Sequence, residues 1–307
     1  MSRTTVSFVL NDRPGQSIPE ATRRRVLEAA ERLDYRPHAS ARALAAGRSD
    51  VVLLSLTDLP IGATVTRFVE QFAAALARGG LTLVTHLEGA SGRSLPDICA
   101  AVDAVAVVAL VPFGQDAADA LFRAGAEVVL GVGADVSAPQ YRIGRLQAEH
   151  LIARGHRRIG YAMPGQRAPE RMAAERLRGV GQACADAGLD APAVGTADLD
   201  IASAAQAVAR WARESVTGVC AYNDETAMAV LAGMREHRLS APDDLAVIGV
   251  DDIPVAGLAA PPLTTVAFDL EEVGRHLAEA VAASLAGEDP DLTSLSPLPH
   301  VIHRAST

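Results

Sequence analysis

Lysine is absent from the 307-residue sequence, and all 28 of its basic side chains are arginine. No G-x-x-x-x-G-K phosphate loop can therefore exist, and the G-V-G at 131–133 is not a G-x-G-x-x-G fingerprint. No G-x-S-x-G or Cys/His nucleophile pair occurs either, so the residues point away from an enzyme. Cysteine is scarce: Cys99, Cys184 and Cys220 are odd in number, far apart and form no C-x-x-C. They read as small buried hydrophobes in a reducing compartment. The eight histidines show no ligand spacing, so no metal and no cofactor is expected. Aromatics make up only 4% of the residues, few for a ligand site built on stacking. No apolar run of about 18 residues is free of charge or breakers, and MSRTTVSFVLND at the start has no h-region. Neither a membrane partner nor export is expected, which makes the expected location cytoplasmic.

What is present is a chain long enough for two or three domains, with 49% apolar residues to fill their cores. Its net charge of −9 is unevenly spread. Residues 1–50 carry nine arginines against six acids, a net of +3, and leave the remainder at −12. A small basic head on a large acidic body is expected where only the head meets phosphate; a solvated basic helix is the plainer alternative.

Residues 2–11 read as a short helix with Val6, Val9 and Leu10 on one side and Arg3, Thr4, Ser7 and Phe8 on the other. NDRPGQ at 11–16 is a turn, and Ser17-Ile18-Pro19-Glu20 forms a capping box. The helix it opens shows Val26, Ala30 and Leu33 at helical spacing and ends near Arg36, ahead of Pro37. HASARALAAG at 38–47 is a further helical stretch, too poor in apolar surface to fold alone. From Val51 the texture alternates. Apolar runs at 51–56, 81–86, 105–111, 127–133, 158–163, 216–222 and 245–250 are separated by helical patterns at 64–78, 116–124, 144–154, 170–187, 203–214 and 224–237. This predicts an α/β body of two doubly wound parallel subdomains, preceded by a small all-α segment, with ligands bound at the carboxyl ends of the strands. Residues 287–299 read as loop.

Several strings occur in a fixed order: T-V-S-x-V-L-N at 5–11, R-x-x-V-L-x-A-A-x-x-L-x-Y-x-P at 23–37 and A-R-x-L at 41–44. E-H-L-I-A-R-G-H-R-R-I-G at 149–160, R-L-R-G at 176–179, N-D at 223–224, V-I-G-V-D-D-I at 247–253 and P-P-L-T-T-V at 261–266 follow. Together they resemble the lactose-repressor (LacI/GalR) family over nearly the whole chain. The resemblance implies a helix-turn-helix headpiece at 1–37, a hinge helix at 38–49, and a body of the type I periplasmic-binding-protein kind. Residues 50–138 with 267–290 would form the N-terminal subdomain, and 139–266 with 291–307 the C-terminal one. It implies a homodimeric, ligand-responsive repressor on double-stranded operator DNA, with no catalytic residues. A solute-binding protein of the same body fold is the alternative.

Carried over by position, Arg3 and Thr4 read base edges, while Thr5, Ser7 and Asn11 touch phosphate or cap locally. Phe8 departs from the family's frequent arginine; an exposed phenylalanine there would press on a thymine methyl or simply pack on the headpiece. Leu44 matches the hinge leucine that wedges between base steps, with Arg42 beside it to meet phosphate or the minor groove; His38 replaces a common asparagine. The family has a helix and a turn ahead of the segment matching Ser2, and only Met1 stands there in this sequence. The expectation is a start internal to the natural gene, or a lost helix, and poor DNA binding by the chain as written.

In the body, the resemblance makes Arg176, Asn223 and Asp251 candidates for a small effector, and their chemistry suits hydroxyl groups of a sugar-like molecule. Each has a plainer reading: Arg176 in a surface pair with Glu170 or Glu175, Asn223-Asp224 capping a helix, Asp251-Asp252 closing a turn. Tyr222, Phe113 and Phe268 lie near strand ends as possible stacking faces, whereas Trp211 reads as packing. His150 and His156 read as packing and capping. Ligand-biased closure of two subdomains is the expected route from effector to hinge.

Overall fold

Apolar strand runs that are buried on both faces need helices above and below, and the chain supplies them. A computed structural model describes residues 2–10, 18–33, 49–56, 62–87, 92–110, 112–131, 137–165, 170–290 and 298–307. Helices α1 (Arg3–Leu10) and α2 (Glu20–Arg32) pack together through the buried Val9 and Val26. A first sheet follows from β1 (Val51–Leu56), β2 (Thr82–Leu87), β3 (Ala106–Ala109) and β4 (Val128–Gly131), all parallel in the order β2-β1-β3-β4. Alternate side chains of β1 feed two cores. Val52, Leu54 and Leu56 face Phe68 and Phe72 of α3 (Ala63–Arg78). Leu53 faces Cys99 of α4 (Leu95–Val102) and Leu121 of α5 (Gln115–Arg123).

The second sheet is built on β5 (Ile159–Met163), β6 (Ala193–Thr196), β7 (Gly218–Ala221), β8 (Ala246–Val250), β9 (Thr264–Ala267) and β10 (His300–Ile302). Its order is β10-β9-β8-β7-β5-β6, parallel except for the antiparallel edge strand β10. Helices α6 (Ser137–Ala153) and α7 (Glu170–Asp186) cover one face. Helices α8 (Ile201–Arg213) and α9 (Asp224–Glu236) cover the other, around a Trp211 that is wholly buried. After β9 the chain enters α10 (Leu270–Leu285), which packs beside α3 on the first sheet, and then returns as β10. The two lobes are thus joined by three chain crossings.

Several sequence expectations are corrected. The helix expected to reach Arg36 stops at Arg32, with Leu33 as its C-cap; that leucine is 72% exposed instead of lying on the core face. Among the described residues no side chain caps α2, whose N-cap position is Pro19; the expected capping residue Ser17 lies outside them. Helix α6 starts at Ser137, seven residues before the expected 144. The strands β6, β9 and β10 were not among the expected runs, and β10 breaks the all-parallel pattern. The expected 38–47 helix lies outside the described residues.

Candidate functional site

Strands β7 and β8 are neighbours, so the residues following them emerge side by side at the carboxyl edge of the sheet. Tyr222 and Asn223 leave β7, and Asp251 leaves β8. The buried Gln147 of α6 ties these ends together, its amide nitrogen shared among the carbonyls of Ala221 (2.8 Å), Ile248 (3.2 Å) and Gly249 (3.2 Å). Arg176 arrives from α7. Helix α7 can approach α6 closely because glycine stands at both points of contact. A Cβ on Gly144 would lie 1.9 Å from the Arg176 carbonyl oxygen, and one on Gly179 would lie 2.0 Å from that of Tyr141.

Arg176 is 4% exposed and heavily engaged. Its Nε donates to Gln140 Oε1 (2.7 Å), its Nη1 donates to the Tyr222 carbonyl, and its guanidinium lies 4.6 Å from the centre of the Tyr222 ring. A surface pair with Glu170 or Glu175 is not formed; Glu175 pairs with Arg178 at 2.8 Å. Tyr222 is buried, and burial raises its phenol while Arg176 partly offsets the rise. Asn223 is the N-cap of α9: its Oδ1 accepts from the Thr226 N–H at 2.9 Å, so the capping role holds.

Asp251 takes a left-handed backbone (φ 109°) and Asp252 follows with φ 48°, so the pair does close the turn after β8. Burial pushes the Asp251 carboxyl up to about 6; Arg176 offsets this, as do the Thr64 hydroxyl and Arg67 reaching from α3 in the other lobe, and Glu225 adds to the rise. Arg67 also donates to the Asp252 carbonyl (3.0 Å), and the Asp252 carboxylate pairs with Arg304 at 2.6 Å. The turn after β8 is therefore where the lobes touch. Phe268 is set apart from the other four candidates. It is half-buried and lines an adjacent recess of about 300 Å³ with Arg67, Gln71, Asp252, Asp269 and His300. Phe113 is half-buried against the α4–α5 side of the first sheet, on the core of Leu53 and Leu121.

Sequence reasoning passed over Asp224, which is wholly buried. Its Oδ2 accepts from the Ile253 N–H (2.9 Å) and its Oδ1 from the Thr265 hydroxyl (2.5 Å). Burial pushes its carboxyl up to about 7, against the pull of those two bonds and with a push from Asp251 and Asp252. Its sequence signals were its place in the N-D string at 223–224 and the helix that follows, and both read equally well as a cap.

In the head, Thr4 is exposed on α1. Thr5 is drawn into local capping: its N–H donates to Ser2 Oγ (3.0 Å) and its hydroxyl bonds the same oxygen (2.8 Å). Phe8 is half-buried. Arg3 and Ser7 belong to α1, but their side chains lie outside what is described, as do Asn11, His38, Arg42 and Leu44 altogether. His150 bonds Thr307 Oγ1 (2.9 Å) and His156 bonds Thr217 Oγ1 (3.1 Å), in keeping with packing roles. Trp211 donates to the Ala193 carbonyl at 2.9 Å, inside the core. Cys99, Cys184 and Cys220 are buried free thiols. Among the described residues no cluster of His, Cys, Asp or Glu suits a metal, and no helix is long and apolar enough to cross a membrane.

Residues 1–38 match the family described as bacterial regulatory proteins, lacI family, and residues 148–307 match the periplasmic binding protein-like domain. The transcriptional regulator GalR of Salmonella typhimurium (strain SL1344) is 30% identical over 309 residues, covering 94% of this chain and 87% of that protein. Among solved structures, a complex of the transcriptional regulator CelR with cellobiose aligns with a TM-score of 0.67 at 26% identity, over 100% of this chain and 96% of the other. The lac repressor dimer bound to operator and the anti-inducer ONPF has a TM-score of 0.74 at 21% identity, over 100% and 95% of the two chains, a likeness of fold.

Proposed function

The chain belongs to the lacI family of bacterial regulatory proteins, and from that premise we propose that it is a homodimeric repressor on operator DNA that responds to a small, sugar-like effector. The effector would enter between the lobes and meet Arg176, Asn223 and Asp251, with Tyr222 behind Arg176. The lobes in this reading are 50–138 with 267–290, and 139–266 with 291–307. The observation that carries the proposal is the meeting of Arg176, Asn223 and Asp251 at adjoining strand ends, beside a turn that the opposite lobe touches through Arg67. Such a site offers fixed donors and acceptors for hydroxyl groups, and any molecule seated there contacts the turn that Arg67 of the opposite lobe touches. Closure would then alter the spacing of the two DNA-reading heads. In the head, Arg3 and Thr4 would read bases, Thr5, Ser7 and Asn11 would position α1, Phe8 would press on a thymine methyl or pack on the headpiece, and Arg42 with Leu44 would engage the minor groove. The match of residues 1–38 to a DNA-binding family favours this reading over a solute-binding protein without a DNA role.

The test titrates the protein against its own upstream intergenic DNA at several salt concentrations. Specific binding that weakens steeply with salt is expected, and Arg3→Ala should weaken it by about tenfold or more. No specific binding to any such DNA would sink the regulator reading. Calorimetry with cellobiose and a panel of mono- and disaccharides tests the effector class. Binding that Asp251→Asn abolishes is expected; a panel in which nothing binds, with DNA binding intact, would dismiss the sugar assignment alone.

A further inference from the structure

The turn that carries Asp251 is an unusual one to leave unsupported. Two consecutive non-glycine residues, Asp251 and Asp252, have positive φ, a backbone that L-residues adopt only when their surroundings impose it. Three anchors surround them. The Asp251 N–H donates to the Val266 carbonyl (2.8 Å) on β9, the Asp252 carboxylate pairs with Arg304, and the next N–H, that of Ile253, donates to Asp224 Oδ2. Asp224 differs from the other anchors because it is wholly buried and joins three elements at once. It sits in the first turn of α9, takes the Ile253 N–H after the turn, and takes the Thr265 hydroxyl of β9. The fold makes room for it with a glycine: a Cβ on Gly249 in β8 would lie 2.1 Å from Asp224 Oδ1.

We propose that Asp224 is a positioning residue for the effector site: through Ile253 and Thr265 it sets the Asp251–Asp252 turn, and through the Asp252 carbonyl it sets the landing point of Arg67 from the other lobe. The inference deepens the effector-site reading above and rests on it for the role of Asp251. A capping aspartate would be solvated at the helix end and would serve its own helix. Asp224 is instead sealed off, and both of its described bonds leave α9 for segments 29 and 41 residues away. The helix N-cap position is filled by Asn223. The charged groups around this cluster are Asp251, Asp252, Arg176, Arg67, Glu225 and Arg304, so the turn lies in a field that the lobes share.

Hydrogen exchange on the full chain without ligand or DNA tests the proposal independently of the regulator reading. The variants are Asp224→Ala, Asp224→Asn and Thr265→Val. Loss of a buried acceptor should speed exchange in the segment 250–254 by about tenfold in Asp224→Ala, with Thr265→Val showing a smaller effect. Asparagine keeps an acceptor oxygen of the same reach and should restore most of the protection. The decisive readout lies across the cleft. Residues 63–70 of α3, which contain Arg67, should also exchange faster in Asp224→Ala, while the core strand 218–221 stays unchanged. Adding Arg67→Met to Asp224→Ala should give no further rise in 63–70, because the contact is already lost. Unchanged exchange at 250–254 in both Asp224→Ala and Thr265→Val overturns the proposal. So does faster exchange throughout the second lobe with 63–70 unmoved, the pattern of a purely structural residue. Should Asp224→Ala fail to fold, Thr265→Val and Asp224→Asn still decide between these outcomes.

Discussion

The Arg176 guanidinium lies 4.6 Å from the centre of the Tyr222 ring while its Nη1 donates to that same residue's backbone carbonyl. One side chain thus holds a strand end by its backbone and by its ring together. A planar, fork-shaped cation can do both, whereas an ammonium cannot. Arg176→Lys should therefore behave as a disruptive change. Arg176→Met, which keeps the apolar stem, leaves the Tyr222 carbonyl and Gln140 Oε1 without their donor and Asp251 without the cation that most offsets its burial. We expect it to destabilise the fold by about 2–4 kcal/mol. Urea unfolding monitored at constant m-value measures the loss. A companion titration of the Asp251 carboxyl should find its pKa above the present value of about 6.

The α6–α7 crossing predicts a contrast among glycines. Gly144→Ala and Gly179→Ala place a Cβ within 2.0 Å of a backbone oxygen, so the helices must separate and carry Arg176 away from Tyr222. Each substitution should cost about 1–3 kcal/mol or more. Gly181, also in α7, has as its nearest neighbour the Pro192 Cδ at 3.9 Å, which leaves ordinary room for a methyl group. Gly181→Ala should stabilise the protein by up to about 1 kcal/mol through helix propensity alone. Thermal unfolding of the three variants checks both directions; equal losses at all three positions would contradict the close approach at the crossing.

The parts of this architecture that could be read from residues alone are those with local causes. V-A-V-V-A-L-V around β3 reads as a strand because both faces are apolar, and every residue of Ala106–Ala109 is buried. Arg176, Asn223 and Asp251 could be selected because they stand in strings with neighbours of fixed type. Strand β6 escaped because A-V-G-T is short and contains Gly195, a residue needed where a Cβ would lie 2.8 Å from Trp211. Strand β9 escaped because its buried residues include Thr264 and Thr265, whose hydroxyls look solvent-facing until Arg304 and Thr307 supply the partners of the first and Asp224 that of the second. Asp224 was missed for the same reason: its role depends on a threonine 41 residues away. Helix α10 has Leu270, Val273, Leu277 and Val281 at helical spacing and was within reach of the same pattern reading.

Asp224 also governs an alkaline limb of stability. Its carboxyl rises from 3.8 to about 7 on folding, so the native state holds a proton that the unfolded chain releases. That contribution is complete below about pH 4 and is lost as pH rises through about 7. Asp251, raised to about 6, acts with the same sign over a narrower window. The Asp224 shift corresponds to at most about 4 kcal/mol. Asp224→Asn should remove most of this slope, so that the variant gains stability relative to the parent between about pH 4 and 7. Denaturant unfolding at a series of pH values in that interval reads the difference; parallel curves for the two proteins would show that Asp224 is ionised throughout.

His150 sets the opposing acid limb. Burial, with His303, Arg154 and His156 nearby, lowers its imidazole from 6.5 to about 4. The ring accordingly stays neutral in the fold, bonded to Thr307 Oγ1 and tilted against His303 at 5.0 Å. A neutral buried histidine contributes stability that is present above about pH 6.5 and is lost as pH falls through about 4, because the unfolded chain takes up the proton first. The edge of the ring is not fully sealed, which limits the effect to about 1–2 kcal/mol. His150→Gln keeps a polar group within reach of Thr307 and cannot titrate. It should be less stable than the parent at neutral pH, through lost ring packing, and the gap should narrow on acidification to pH 4. A gap that stays constant or widens would mean that His150 is protonated in the folded protein, with the Thr307 hydroxyl accepting its proton.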